Sequence, residues 1–499
     1  MTDVLLTHSY HLFFDRKQAR RMQPYPPLGT LYAAALLREK GFRVALFDSM
    51  LDDPEREFAE AVARHRPRVV AIYEDNFNYL SKMCLSRMRE VAFGMIGTAR
   101  AAGALVAVNG SDASDHLADY LRSGADYVLL GEAEWTLLEL VESLTGELAR
   151  DAEEIPGLAF LRDDSGPVHR TPRRPLMRDL DALPIPARDL VDIDRYRDAW
   201  KAAHGFFSLN VVASRGCPYR CNWCAKPIYG DSFHLRSAAS VASEMEVLKQ
   251  SYGAEHLWFA DDIFGLKARW VLDLADQVQR RQAAVPFKMQ SRVDLMKEEV
   301  VEALRRAGCM EVWMGAESGS QQILDAMEKG TQVEQIRRAT ESLRRAGMRA
   351  CFFLQFGYPG ETWADIQKTI ELVRETRPDD IGVSVSYPLP GTAFYERVRE
   401  QLGAKTNWLD SQDLSMMFRG TYTSEFYRAL HDALHAEAAT WAVPEGWKPP
   451  GCRSANSLAR VDSARVKELW TRVGQLEKVC RNADPTLLPV LACSAATPA

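Results

Sequence analysis

The chain has 499 residues, enough for about two to four domains, and its 46% hydrophobic and 26% charged residues describe an ordinary soluble protein. A net charge of −6 argues against a general nucleic-acid binder, and the basic stretch Arg170-Thr171-Pro172-Arg173-Arg174 reads as a solvated linker. No segment approaches the length of a membrane span and no secretory signal is evident, so a cytoplasmic protein is expected.

Residues 1–145 alternate short apolar runs with amphipathic stretches. Val4-Leu5-Leu6, Val44 to Phe47, Val69 to Tyr73, Leu105 to Val108 and Tyr127 to Leu130 read as buried strands, with helical patterns between them. That alternation predicts a doubly wound parallel sheet, whose ligands bind at the carboxyl ends of the strands near the switch point. Those ends carry Asp48-Ser49, Asn109-Gly110-Ser111-Asp112 and Gly131-Glu132-Ala133-Glu134, while Pro26-Pro27-Leu28-Gly29 opens the first helix. Taken singly, each is an ordinary turn or helix start. The loop after the first strand holds two histidines, His8 and His11.

Residues 146–206 are rich in proline, aspartate and arginine and read as a linker. Pro156 to Leu161, followed by Asp163-Asp164-Ser165-Gly166, suggests a small hairpin within it.

From residue 207 the βα rhythm resumes. Strands are expected at 209–213, Leu257 to Phe259, Phe287 to Gln290, Val312 to Met314, Cys351 to Leu354 and Ile381 to Val385. Such units make a partial TIM-like barrel over residues 207–404, with its site at the carboxyl ends of the strands. The loop after the first of these strands reads Ser214-Arg215-Gly216-Cys217-Pro218-Tyr219-Arg220-Cys221-Asn222-Trp223-Cys224. Its spacing is Cys-x3-Cys-x2-Cys, with no fourth cysteine nearby. A structural zinc site wants four ligands, whereas three thiolates can hold three irons of a cubane cluster and leave the fourth open. Zinc and iron–sulfur are the candidates, with a disulfide a poor third in a chain without a secretory signal. The other cysteines are Cys84, Cys309, Cys351, Cys452, Cys480 and Cys493. Cys309 and Cys351 fall in apolar patterns and read as small core hydrophobes.

The later strand ends carry Ala260-Asp261-Asp262, Ser291-Arg292, Gly315-Ala316-Glu317-Ser318, Gly357-Tyr358-Pro359-Gly360-Glu361 and Tyr387-Pro388-Leu389-Pro390-Gly391, with Lys329-Gly330 after the helix that follows Glu317. Residues 405–499 lose the rhythm. They read as helical and polar, with Ser463 to Val479 a helix, tryptophans at 408, 441, 447 and 470, and prolines at 444, 449 and 450.

The cysteine loop resembles that of the radical S-adenosylmethionine (SAM) enzymes, CxxxCxΦC with an aromatic residue before the last cysteine, and Trp223 fills that place. The first domain, with its PPLG, (G/N)G and GExE segments, resembles the cobalamin-binding domain fused to many of them. Asp179 to Ala187 resembles the LDxLPxPA connector of the same two-domain family. The resemblance implies an α/β chain: a doubly wound, parallel-sheet cobalamin-binding domain, a partial (β/α)6 barrel and a small helical C-terminal region.

It implies a 4Fe–4S cluster on Cys217, Cys221 and Cys224. It implies SAM contacts by Trp223, Asp261, Asp262, Ser291, Arg292, Glu317 and Lys329. Among these, Asp261 and Asp262 suit the ammonium, Lys329 or Arg292 the carboxylate, and Glu317 the ribose hydroxyls. Cobalamin contacts are implied for Pro27, Leu28, Gly29, Asp48, Asn109, Gly110, Ser111, Gly131 and Glu132. Many cobalamin domains carry Asp-x-His-x-x-Gly, whose histidine ligates cobalt. That spacing is absent here, so cobalamin is expected without a histidine ligand and His8 and His11 as local hydrogen-bonding residues.

The implied activity is methyl transfer from methylcobalamin to an unactivated carbon, less often phosphorus, of a small molecule through a 5′-deoxyadenosyl radical. A flavodoxin- or ferredoxin-like protein would supply the electron. The alternative is a cyclase or ring-rearranging enzyme without net methylation. A methylthiotransferase is disfavoured because only Cys84 precedes Cys217, and a vestigial sensor because the three loop cysteines are intact.

Overall fold

The computed structural model describes residues 2–82, 85–146, 150–163, 166–403, 405, 407–411, 413–441, 462–479 and 481. Cys84, Asp164, Ser165, Trp447, Cys452, Cys480, Cys493 and the prolines at 444, 449 and 450 lie outside the described residues.

The first sheet has seven strands: β1 (Val4–Thr7), β2 (Val44–Leu46), β3 (Val69–Tyr73), β4 (Leu105–Asn109), β5 (Tyr127–Leu129), β6 (Leu158–Leu161) and β7 (Val168–Arg170), in the order β2-β1-β3-β4-β5-β6-β7. β1 to β5 are parallel. Successive strand residues point to opposite faces, and both faces are apolar. Val4, Leu6 and Ala71 pack with residues of helices Leu28–Glu39 and Glu134–Thr145. Leu5, Val70, Ile72, Val106 and Val108 pack with residues of helices Pro54–His65 and Ser86–Ala101. This is the doubly wound arrangement.

The hairpin expected inside the linker forms as β6 and β7, which add antiparallel to β5 and so extend the first sheet. Helix Ile193–His204 follows. Asp192 caps it by accepting from Arg195 N, and Tyr196 and Trp200 are its buried residues. Trp200 Nε1 donates to Pro24 O at 2.6 Å and Tyr196 Oη to Asp48 Oδ2 at 2.6 Å, so the helix is tied to the first domain.

The second large sheet is parallel, in the order β8 (Ser208–Val211), β11 (His256–Phe259), β12 (Phe287–Ser291), β13 (Cys309–Glu317), β14 (Arg349–Phe356) and β15 (Asp380–Val385). Two short strands between them, β9 (Ser214–Arg215) and β10 (His234–Leu235), pair antiparallel. Leu257, Phe259, Phe287, Met289, Val312 and Met314 join the core beneath the outer helices, among them Ala238–Gln250, Ala268–Arg280 and Glu298–Ala307. The alternate residues, including Trp258, Lys288, Gln290, Trp313 and Phe353, line the concave face and are only partly buried. Six βα units thus build a partial barrel. Beyond it, helix Ser424–Ala438 packs on β15 and on helix Ser463–Val479. No helix among the described residues is long and apolar enough to cross a membrane.

Candidate active site between two rows of strand ends

Strand-end segments of both sheets meet. Leu28, Tyr32 and Phe77 of the first domain pack against Val212, Ile228, Tyr229 and Ala260 of the barrel, with Phe77 stacked on Tyr229 at 5.7 Å. Through this contact runs Arg215, two residues before the first loop cysteine. Its guanidinium donates to Glu132 Oε1 at 2.6 Å and to Glu134 Oε1 at 2.8 Å. The rings of Tyr32, Phe77 and Tyr229 lie 5.4, 5.5 and 5.4 Å from it. Burial opposes its charge, but Glu134, Tyr229 and Glu132 outweigh burial and hold the guanidinium charged. Glu132 also accepts from Met177 N at 2.6 Å through its other oxygen.

The cysteine loop is pinned at its base by the β9–β10 pair. Gly216 has φ +81, and a Cβ there would fall 2.3 Å from Ser232 O, so only glycine fits. Asn222 N donates to Met327 O at 3.1 Å, and Asn222 Oδ1 accepts from Tyr358 Oη at 2.9 Å. Lys226 Nζ caps Cys217 O at 3.1 Å. Cys217, Cys221 and Cys224 are free and half-buried. Burial pushes the Cys224 thiol up to about 12, helped by Asp262 and the other two thiols. Such thiols ionise when a metal cluster draws charge from sulfur, and three on one short loop match the donor set of a cluster with one open iron. The residues fit a 4Fe–4S cluster.

Around them stand the residues expected to meet SAM. Lys329 Nζ is 2.7 Å from Glu317 Oε1, both side chains buried, and 5.9 Å from the Trp223 ring. Glu317 has φ +59 at an irregularity in the β13–β14 register between Gly315 and Glu317. A Cβ on Gly315 would lie 2.6 Å from both Glu317 Oε1 and Lys329 Nζ, so Gly315 makes room for the pair. Arg292 stacks on Tyr219 at 3.7 Å, places Nη1 3.9 Å from Cys221 Sγ and is held by Asp294 at 2.9 Å. Two expected contacts are turned elsewhere. Asp261 accepts from Ala213 N at 3.2 and 3.1 Å and from Ser214 Oγ, bracing the cysteine loop. Ser291 Oγ donates to Phe264 O at 2.8 Å. Asp262, by contrast, acts on the Cys217 and Cys224 thiols.

On the first domain, Asn109 Nδ2 donates to Leu129 O at 2.9 Å and to Gly131 O at 3.2 Å, and its Oδ1 accepts from Asn76 Nδ2 at 2.8 Å. That network gathers the ends of β3, β4 and β5. Gly29 sits against Asn76 N, where a Cβ would be 3.2 Å away, and donates to Asp75 Oδ1 at 3.0 Å, which places the Pro27-Leu28-Gly29 helix start beside β3. A Cβ on Gly110 would come 2.8 Å from Glu74 Cγ. Ser111 Oγ, Asn76 Oδ1, Ser81 Oγ and Glu74 Oε2 are buried there without a partner among the described residues. Unpaired donors and acceptors beside bare backbone suit a flat macrocycle rimmed with amides, so the residues fit cobalamin. His8 is engaged at both ring nitrogens, with Asp48 Oδ1 at 3.1 Å and Ser49 Oγ at 3.1 Å, and His11 Nδ1 lies 2.9 Å from Ser49 O.

Two residues escaped the sequence reading. Arg215 stood inside the motif without a role, because its partners lie more than eighty residues upstream. Tyr79 opens the short helix Tyr79–Lys82, six residues after β3, the strand beside the reversal of strand order. The residue is 54% exposed, yet its hydroxyl is crowded by protein, and burial first, then Tyr387, Cys224 and Glu317, holds its proton well above the usual phenol range.

The B12 binding domain family matches residues 19–141 and the Radical SAM superfamily residues 211–373. An uncharacterized methyltransferase of Pyrococcus horikoshii is 27% identical over 424 residues, covering 81% of this chain and 88% of that one. The anaerobic magnesium-protoporphyrin IX monomethyl ester cyclase of Rubrivivax gelatinosus is 24% identical over 396 residues, covering 76% of this chain and 67% of the cyclase. The radical SAM methyltransferase TsrM of Kitasatospora setae, solved with cobalamin and its 4Fe–4S cluster, matches with a TM-score of 0.65 at 22% identity, over 80% of this chain and 75% of TsrM. At that identity the likeness speaks for the fold.

Proposed function

We propose that this chain, which belongs to the cobalamin-dependent radical SAM enzymes, is a methyltransferase acting on an unactivated carbon of a small molecule. Its cofactors are SAM, a 4Fe–4S cluster and cobalamin. When bound, the cluster and SAM supply the radical that takes a hydrogen from the substrate, and cobalamin carries the methyl group. Everything else falls to side chains: they bind, orient and exclude side reactions.

In this reading Cys217, Cys221 and Cys224 hold the cluster, with Arg292 beside Cys221 and Trp223 on the flank of Lys329. Asp262 faces the SAM ammonium, Lys329 and Arg292 its carboxylate, and Glu317 its ribose. Gly29, Asn109, Gly110, Ser111 and Gly131 offer backbone and unpaired polar groups to cobalamin, with Pro27, Leu28 and Asp48 beside them. Glu132 acts differently, through Arg215. A flavodoxin- or ferredoxin-like protein supplies the electron.

The observation that carries the reading is the clasp of Arg215 by Glu132 and Glu134. It ties the cysteine loop to a strand end of the B12-binding domain, so one substrate can be held against both reactive centres. Such proximity favours capture of a radical over its loss. The likeness to the Rubrivivax cyclase supports a second reading, rearrangement or cyclisation without net methylation.

Methyl-labelled SAM separates the two. A methyltransferase uses SAM twice, so S-adenosylhomocysteine and 5′-deoxyadenosine should form in comparable amounts with label in the product. Turnover with 5′-deoxyadenosine alone and no transferred label would favour the second reading. Undiminished 5′-deoxyadenosine from a variant with all three loop cysteines changed to alanine would overturn both.

A further inference from the structure

The concave face of the barrel carries side chains that the cofactor sites leave unused, and they lie in rows set by strand register. The lowest row runs Trp258, Lys288, Glu311, Arg349 across β11 to β14. The next holds Gln290, Trp313, Cys351 and Asp380, and the next Gly315, Phe353 and Gly382. Directly above Gly315 stands the Glu317–Lys329 pair.

Two features of these rows point to a ligand. The first is aromatic. Trp313 and Phe353 stack at 4.8 Å with an interplanar angle of 30°. Phe353 lies mid-strand, yet 37% of it is exposed, while its strand neighbours Phe352 and Leu354 are fully buried. Gly315 and Gly382 flank it in its row without side chains, and a Cβ at Gly382 would press on Phe353 at 3.2 Å and Trp313 at 3.5 Å.

The second is electrostatic. Glu311 is taken: it pairs with Arg349 and accepts from Trp313 Nε1 at 2.7 Å. Lys288, its cross-strand neighbour, forms no ion pair with a carboxylate among the described residues. Its ammonium lies 5.8 and 5.9 Å from the rings of Tyr25 and Trp258. The Tyr25 hydroxyl is a further, neutral partner, so these groups stabilise the charge modestly but supply no carboxylate among the described residues. Its row lies two strand residues, about 7 Å, below that of Trp313.

We propose, building on the reading above, that this face is the substrate pocket and that it takes a flat, unsaturated molecule bearing one anionic group. The flat part stacks on Phe353 beneath the Glu317–Lys329 pair, and the anion pairs with Lys288. A partly desolvated ion pair fixes orientation, and the aromatic stack fixes the plane.

The test uses the reconstituted holoenzyme, equilibrium dialysis and three probes: 2-naphthoate, the uncharged 2-naphthamide and the non-planar cyclohexanecarboxylate. The naphthoate should bind about tenfold or more tighter than either of the others. Lys288→Met should remove its advantage over the amide. Phe353→Ala, or Phe353→Leu if the alanine variant loses its circular dichroism or cluster absorbance, should weaken both naphthyl probes about tenfold. Equal binding of the three probes, binding of none at millimolar concentration, or a naphthoate preference that survives Lys288→Met would overturn the proposal. Methyl transfer from SAM to cobalamin, assayed on the same wild-type sample, reports on the methyltransferase reading separately. If it is absent while the probes behave as expected, that reading fails and the pocket stands.

Discussion

Arg215 in β9 and Glu132 in the loop after β5 belong to different domains, yet Nη1 of one lies 2.6 Å from Oε1 of the other, both side chains almost wholly buried. With Glu134 on the second arm of the guanidinium, the motif that opens the cysteine loop is fastened to the strand end that opens helix Glu134–Thr145. Removing one member of such a group leaves buried charge without compensation, at a cost of about 3–5 kcal/mol. Arg215→Met should therefore lower the denaturant midpoint and the iron content after reconstitution. Adding Glu132→Gln and Glu134→Gln should restore part of the midpoint, because the uncompensated charges go. A midpoint unchanged in Arg215→Met would show that the clasp is not formed in solution.

Lys329 is one of the two cations, with Arg292, expected to meet the SAM carboxylate, and Glu317 is its partner at 2.7 Å. Burial opposes its charge, but Glu317 and Cys221 outweigh it and keep it protonated. Charged hydrogen bonds contribute about 1.5–3 kcal/mol, so Lys329→Met should weaken SAM binding by about ten- to a hundredfold. Dialysis of SAM against reconstituted variant measures this. A Lys329→Met protein that binds SAM like the parent would assign the pair to the fold alone.

The two domains of parallel strands were legible because continuous apolar runs between amphipathic stretches mean buried parallel strands, whereas the spatial strand order came only from the fold. Residues 146–206 were harder. Helix Ile193–His204 buries only Tyr196 and Trp200 among charged residues, and their partners, Asp48 and Pro24, lie far upstream. A pattern with two buried positions in twelve residues carries almost no period. At the site, residue type pointed to the right neighbourhood but not to orientation. Asp261 and Asp262 read alike in sequence, yet in the loop after β11 one braces Ala213 and Ser214 while the other acts on the thiols.

Glu361 gives a pH dependence with a definite sign. It is fully buried, accepts from Gly357 N at 2.6 Å, leaves Oε1 without a partner among the described residues, and burial pushes its carboxyl up to about 8. A folded pKa above the ordinary 4.5 means that the native state holds its proton more tightly than the unfolded chain. The stability this confers is complete below the unfolded value and fades as pH rises through the folded one. The denaturant midpoint should decline between about pH 5 and about pH 9, and Glu361→Gln should flatten that decline. Equal pH profiles for the two proteins would refute the assignment.

Both nitrogens of His8 are occupied by Asp48 and Ser49, and His11 Nδ1 by Ser49 O. Bound cob(II)alamin should accordingly show no nitrogen hyperfine splitting from a protein histidine in its paramagnetic resonance spectrum. Splitting that disappears in His8→Ala or His11→Ala would mean that one of these rings leaves its partners for cobalt.

Tyr79 opens the short helix after β3, and its ring is largely exposed. It is 54% exposed, while Phe77 two residues earlier is buried against Tyr229. Its hydroxyl feels Tyr387 at the end of β15, Cys224 on the loop and Glu317 at the end of β13. A side chain so placed stands where a substrate held between the two strand-end rows would pass. If it helps hold the substrate, shortening it leaves SAM cleavage possible but loosens the geometry in which a substrate radical meets the methyl donor. Small displacements of this kind cost much of the advantage of proximity. Tyr79→Ala should therefore raise the ratio of 5′-deoxyadenosine to S-adenosylhomocysteine by about tenfold, while Tyr79→Phe, which keeps the ring, should raise it less. The ratio is read from one quenched reaction, so differences in cluster loading between proteins cancel. A parental ratio in Tyr79→Ala would place this ring outside the path of the substrate.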